Sequence, residues 1–138
     1  HGMANSRARL RMTTLYQVAA ANKGIVVGTG NKVEDFGVGF YTKYGDGGVD
    51  ISPIADCNKT EVWELGKELG ILEDIINAAP TDGLWDDGRT DEGQLGLSYK
   101  ELEEAMNNEN SVNREKYNSI RNANLHKMEP IPVCKIPN

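Results

Sequence analysis

The apolar positions near the start of the chain repeat with a helical period. Ala8, Met12, Leu15 and Ala19 fall at i, i+4, i+7 and i+11, which predicts a helix over 4–22 with one buried stripe. Asn5 or Ser6 can cap its start and Gly24 can close its end. Arg7 and Arg11 share one side of this helix, and Arg9 points nearly the opposite way. The pattern then changes. Ile25-Val26-Val27-Gly28 is a short β-branched run bounded by glycines, the signature of a buried parallel strand, and Thr29-Gly30-Asn31 leaves it as a loop of small residues. A helix feeding such a strand is half of an α/β unit. Open parallel sheets bind ligands beyond the carboxyl ends of their strands.

Glycines then crowd the chain, at Gly37, Gly39, Gly45, Gly47 and Gly48, so 36–50 reads as a shaped loop rather than a regular helix. Val49-Asp50-Ile51-Ser52-Pro53-Ile54 predicts a second short strand. Asn58 and Glu61 stand at capping-box spacing and open a helix over 58–69, stopped by Gly70, with Val62, Leu65 and Leu69 as its buried stripe. A shorter helix over 72–78 ends before Pro80. Residues 80–96 are polar and carry Asp82, Asp86, Asp87, Asp91 and Glu92; at that length the segment is a candidate mobile lid. Ser98 with Glu101 opens a helix over 99–107. A last helix over 112–126 turns Tyr117, Ile120 and Leu125 inward, and Pro130, Pro132 and Pro137 extend the tail. No repeat or heptad array interrupts this order, so 1–138 reads as one domain or a large piece of one, with His1-Gly2-Met3 as a tag remnant or ragged start.

Composition narrows the partners. With 38% apolar and 26% charged residues, the chain can build a modest core. A formal net charge of -6 argues against nucleic acid or an acidic membrane as the partner, because both want a basic surface. No apolar run reaches membrane-spanning length, and the N-terminus has no signal-peptide core. Cys57 and Cys134 lie far apart without metal-ligand spacing and read as free, reduced thiols of a cytoplasmic protein.

Candidate chemistry is sparse when taken residue by residue. Neither a Walker sequence nor GxGxxG is present. The glycine-rich segment is either a tight surface connection or a loop whose N–H groups approach an anion. Glu34 and Asp35, just past the first strand, suit a magnesium ion bridging to phosphates, or equally a solvated acidic helix start. Lys43, Lys59 and Lys127 are single cations, and His126 beside Lys127 forms a donor pair.

Taken in order, the motifs carry more. Arg7-Ala8-Arg9-Leu10-Arg11-Met12 is followed by Val26-Val27-Gly28-Thr29-Gly30-Asn31 with Glu34. Next come Phe40-Tyr41-Thr42-Lys43-Tyr44-Gly45-Asp46-Gly47-Gly48-Val49-Asp50-Ile51 and Pro53-Ile54-Ala55-Asp56 with Asn58-Lys59. Ala79-Pro80-Thr81 and His126-Lys127 complete the series. This string resembles the NAD synthetase family, of the ammonia-dependent type, over nearly the whole chain, and Thr-Lys-Tyr-Gly-Asp-Gly-Gly is its most specific part. The resemblance implies a Rossmann-like parallel sheet with flanking helices, of the adenine-nucleotide α-hydrolase kind, of which these residues form the C-terminal part. It implies ATP-dependent amidation of deamido-NAD by ammonia, through an acyl adenylate, with Mg2+ as cofactor and a homodimer as the working form. By position it implies deamido-NAD contacts at Arg9, Lys43, Asp50, His126 and Lys127. It likewise implies ATP contacts at Thr29, Lys59 and Thr81, and a magnesium ligand at Glu34.

The family's Ser-Gly-Gly-x-Asp-Ser pyrophosphate loop does not occur within these residues. A complete member is expected to need roughly another hundred residues upstream, and these 138 residues alone are expected to be inactive. Two alternatives stay open: a nucleotide-binding or regulatory module without catalysis, and part of a glutamine-dependent relative fed by a separate amidase domain.

Overall fold

A computed structural model describes residues 1–137. Helix α1 spans Gly2–Ala21, α2 Lys59–Glu68, α3 Glu73–Ile76, α4 Asp91–Leu95, α5 Tyr99–Asn107 and α6 Arg114–Met128, with a π-helical turn at Val33–Val38 between α1 and α2. No described helix is long and apolar enough to cross a membrane.

The core lies in the second half of the chain and around the π-helical turn. Val33, Val38, Leu95, Leu97, Tyr99, Leu102, Ala105 and Tyr117 form one buried cluster, with Phe40, Trp63, Met106 and Ile120 packed against it. The turn is thereby clasped by α5 and α6. The indole of Trp63 meets the Tyr99 ring edge-on at 6.2 Å, a favoured aromatic arrangement. Helix α5 forms where expected because Ser98 and Glu101 close a capping box: the carboxylate accepts from Ser98 N at 2.8 Å. Two glycines permit the turn's close quarters. Gly39 leaves it at φ 66, and a Cβ there would stand 2.7 Å from that of Asn124 on α6. A Cβ at Gly30 would sit 2.2 Å from Asp35 Oδ1, so the loop before the turn is pressed onto a carboxyl.

Burial differs from expectation in several places, and the two expected strands meet, among the described residues, in a single parallel bridge between Val27 and Ile51. Gly28 N donates to Ile51 O at 2.7 Å and Asp50 N to Val26 O at 2.9 Å. Ile25, Val27 and Ile51 remain 60%, 51% and 46% exposed, so the pair has nothing on its outer face, and parallel strands need cover on both faces. The stripe of α1 is only partly buried: Ala8 is packed away, whereas Leu15 is exposed. On α2 it is Trp63 that reaches the core, while Leu65 and Leu69 face solvent.

The glycine-rich stretch begins inside a helical turn, because Gly37 belongs to Val33–Val38. The 80–96 segment is not structureless either. It contains α4, capped by Thr90 Oγ1 accepting from Gly93 N at 3.1 Å and ended by Gly96 at φ 68. Arginines of α1 hold its first part. Arg7 donates to Leu84 O at 2.8 Å, and Arg11 to Asp82 O at 3.2 Å and Gly83 O at 2.8 Å.

Leu102 is fully buried at the middle of the cluster. Leu102→Ala is expected to destabilise the fold by about 3 kcal/mol, from lost burial plus the cavity left behind. Urea unfolding monitored by tryptophan fluorescence measures it.

Candidate functional site

A cavity of about 390 Å³ opens between α1, the strand bridge and the π-helical turn, and Thr29, Glu34, Lys59 and Thr81 all line it. They arrive from four separate stretches of chain. Thr29 follows the bridged strand, and Glu34 stands on the π-helical turn. Lys59 is the first residue of α2, and Thr81 precedes the segment gripped by Arg7 and Arg11.

Local chemistry fixes two of these side chains closely. Asn31, 1% exposed, accepts at Oδ1 from Val33 N at 3.0 Å and Glu34 N at 3.1 Å, starting the turn as a capping side chain does. The Glu34 carboxylate in turn accepts from three donors. Tyr99 Oη donates to Oε1 at 2.5 Å, Lys59 Nζ to the same oxygen at 3.3 Å, and Asn31 N to Oε2 at 3.2 Å. Lys59 also lies 4.9 Å above the Tyr99 ring centroid, a cation–π contact. The start of α2 is held from α5, where buried Glu103 accepts from Thr60 N at 3.0 Å and from Thr60 Oγ1 at 2.7 Å.

The site is rich in carboxyl groups. Asp91, 7% exposed, borders the cavity; its Oδ2 faces Tyr99 Oη at 3.3 Å and its Oδ1 is buried without a partner. Burial first, and then the charges of Glu34 and Asp82, push the Asp91 carboxyl above its ordinary range. Asp35 is pushed up to about 6, by burial first and then by Glu34 and Asp46. Such a neighbourhood favours a cation. Glu34 and the unpartnered Asp91 oxygen are hard donors suited to magnesium. Among the described residues no three His, Cys, Asp or Glu side chains converge into a metal cage, so water or phosphate oxygens must complete any such site.

A second cavity, of about 310 Å³, adjoins the first; Phe40, Asp46, Asp82 and Leu84 line both. Lys127 faces it from the end of α6. Its ammonium donates to Gly39 O at 2.8 Å and Tyr41 O at 2.6 Å, and burial lowers its pKa. Three more expected residues, Arg9, Lys43 and His126, are joined to one another but line neither cavity. Lys43 Nζ donates to His126 O at 2.5 Å, and Arg9 Nε to Lys43 O at 3.3 Å. Asp50 stands apart from this group. It accepts from Val26 N at 2.7 Å and from Tyr16 Oη at 3.2 Å, so it braces the strand bridge.

Tyr99, Asp91 and Asn31 join the site without a sequence signal of their own: Asp91 is one acid in an acidic run, Asn31 one small residue in a loop, and Tyr99 the first residue of a helix. Glu34 and Tyr99 are 65 positions apart, a separation no local pattern registers.

Comparison with known proteins places this geometry. The profile of the family described as NAD synthase matches residues 2–135. The chain is similar to the NH(3)-dependent NAD(+) synthetase of Carboxydothermus hydrogenoformans, 52% identical over 101 residues that make up 73% of this chain and 41% of that protein. It is similar to the enzyme of the same name from Methanosarcina acetivorans, 41% identical over 93% of this chain and 56% of that one. Among solved structures, the NMN synthetase of Francisella tularensis superposes with a TM-score of 0.82 at 37% identity, covering 98% of this chain and 56% of its own. The NH3-dependent NAD synthetase of Campylobacter jejuni superposes with a TM-score of 0.69 at 25% identity, covering 95% and 54%. The chain thus spans about half the length of the relatives it matches. With almost every residue inside the profile, and the motif residues Thr29, Glu34, Lys59 and Thr81 meeting at one cavity, the chain belongs to the NAD synthase family.

Proposed function

We propose that this chain is the C-terminal half of an enzyme that amidates deamido-NAD to NAD with ammonia, at the expense of ATP. The observation that carries the reading is the convergence of Thr29, Glu34, Lys59 and Thr81 on one cavity, next to a second cavity bordered by Lys127. A reaction joining two large anions needs two adjoining compartments with a common wall. In this reading Thr29, Lys59 and Thr81 hold ATP in the first, and Glu34 holds Mg2+ with the nucleotide phosphates, aided by Asp91. Lys127 binds deamido-NAD at the second, with Arg9, Lys43, His126 and Asp50 as further contacts to that ligand.

The nicotinate carboxylate attacks the α-phosphorus of ATP, and the bond to the bridging oxygen breaks to release pyrophosphate. Ammonia then adds to the acyl carbon of the adenylate, loses a proton and expels AMP, leaving the amide. Bound magnesium supplies charge neutralisation at the phosphates. The chain's own residues bind and align. Lys59 brings a cation to the leaving phosphates. No protein nucleophile is required, because proximity of two bound reactants supplies much of the rate.

The remaining parts of the reading extend beyond these residues. The strand bridge belongs to a Rossmann-like parallel sheet whose other strands, with the pyrophosphate loop, lie upstream, so these residues alone do not turn over. The enzyme acts in the cytoplasm as a homodimer. Exposed Leu10 and Val18 on α1, at 68% and 49%, support burial against another surface.

A second reading is favoured by one observation: the higher of the two TM-scores belongs to an NMN synthetase. The substrate would then be the nicotinate mononucleotide, lacking the adenylyl half. Steady-state kinetics of the full-length protein with both substrates separate the two. A kcat/KM at least tenfold higher for deamido-NAD is expected, and the reverse order would establish the mononucleotide enzyme.

Two substitutions in the full-length protein test the residue roles. Glu34→Gln is expected to lower magnesium-dependent turnover at least a hundredfold while the melting temperature moves little; unchanged activity would remove Glu34 from the metal site. Lys43→Ala is expected to raise the KM for deamido-NAD about tenfold, the loss of one charge-assisted contact, and to leave the KM for ATP alone. A defect confined to ATP would reassign that lysine.

A further inference from the structure

Glu34 reaches the first cavity from a turn, yet the group that fixes its carboxylate comes from beneath, out of the core. Tyr99 is 0% exposed, is packed edge-on against Trp63, and stands at the first position of α5. Its backbone N donates to Glu92 Oε1 at 2.9 Å, which further ties it in place. The phenol therefore has one orientation available.

Its hydroxyl lies between two carboxylates, 2.5 Å from Glu34 Oε1 and 3.3 Å from Asp91 Oδ2. A phenol has one hydrogen to donate. The shorter contact takes it, so Glu34 is the group held and Asp91 the group left under-satisfied, consistent with its unpartnered Oδ1. Two other donors reach Glu34, and both are less exclusive. Lys59 is a flexible ammonium on the cavity wall, free to turn toward any anion that enters. Asn31 N serves the opposite oxygen at 3.2 Å. Only Tyr99 is both a donor to Oε1 and immobilised by the core.

We propose that Tyr99 is the positioning residue of the cation site: its hydroxyl orients the Glu34 carboxylate toward the first cavity and holds it there when Lys59 is drawn to the nucleotide. The proposal rests on the reading of Glu34 as the metal-binding group. Hydrogen-bond partners of metal-ligating carboxylates commonly govern metal affinity by 10- to 100-fold. The hydroxyl can be removed without the ring, so Tyr99→Phe keeps the packing on Trp63 and the face under Lys59.

The test uses the full-length protein and Mn2+ alone, with binding followed by water-proton relaxation and folding by thermal melting. Tyr99→Phe is expected to weaken Mn2+ at least tenfold while the protein stays folded, and Glu34→Gln to abolish the same binding. Native Mn2+ affinity in Tyr99→Phe, alongside loss in Glu34→Gln, overturns the role of Tyr99 and keeps Glu34 as the ligand. Native affinity in Glu34→Gln overturns both. If Tyr99→Phe does not fold, 3-fluorotyrosine at position 99 of the native protein gives the answer. Its fluorine resonance is expected to shift on Mg2+ addition, and not to shift in the Glu34→Gln background. A resonance indifferent to Mg2+ overturns the proposal.

Discussion

The π-helical turn Val33–Val38 is lodged between α5 and α6, and the placement of the first cavity's acidic wall depends on that clasp. Val33 and Val38 are both 0% exposed, so the turn is anchored at each end by apolar burial. Glu34, one of its two acidic residues, is then held at a fixed point on the wall of the first cavity. Aromatic packing beneath, from Trp63 onto Tyr99, makes the same core responsible for the hydroxyl that meets Glu34. Stability and site geometry therefore share their contacts. Loosening the cluster would blur the position of a carboxylate before it unfolded the chain.

Helix positions were largely readable from the sequence, because caps and periodicity are local. Ser98 with Glu101 gave the start of α5, and the paired signals at Asn58 and Gly70 bracketed α2. Burial was less legible. Leu65, Leu69 and Leu15 follow a helical period, yet their faces meet solvent here, since a period names a face without naming what covers it. The two strand segments do pair in parallel, at Val27 and Ile51, while Ile25 and Val27, with the composition of an interior strand, stay exposed because a lone bridge has no neighbours to cover it.

Motif order alone names Thr29, Glu34, Lys59 and Thr81, and all four line one cavity. Arg9, Lys43 and His126 are named in the same way, and they meet through backbone carbonyls away from both cavities. Asp50 is engaged with the strand bridge. Tyr99 and Asp91 could not be read as partners of Glu34, because their contact depends on the tertiary clasp alone.

The tie between α1 and the 82–84 stretch has a different kind of consequence. Arg7 and Arg11 grip mainly carbonyl oxygens of the main chain there. A carbonyl is the same whatever side chain it carries. The tie itself therefore reads no side chain at 82–84, although Gly83, at φ 61, is held to glycine by its backbone, and the tie is sensitive to the number of residues that lead into it from Pro80. A one-residue insertion between Pro80 and Asp82 would shift every grip out of register, so the length of this stretch is constrained by contacts that read no side chain.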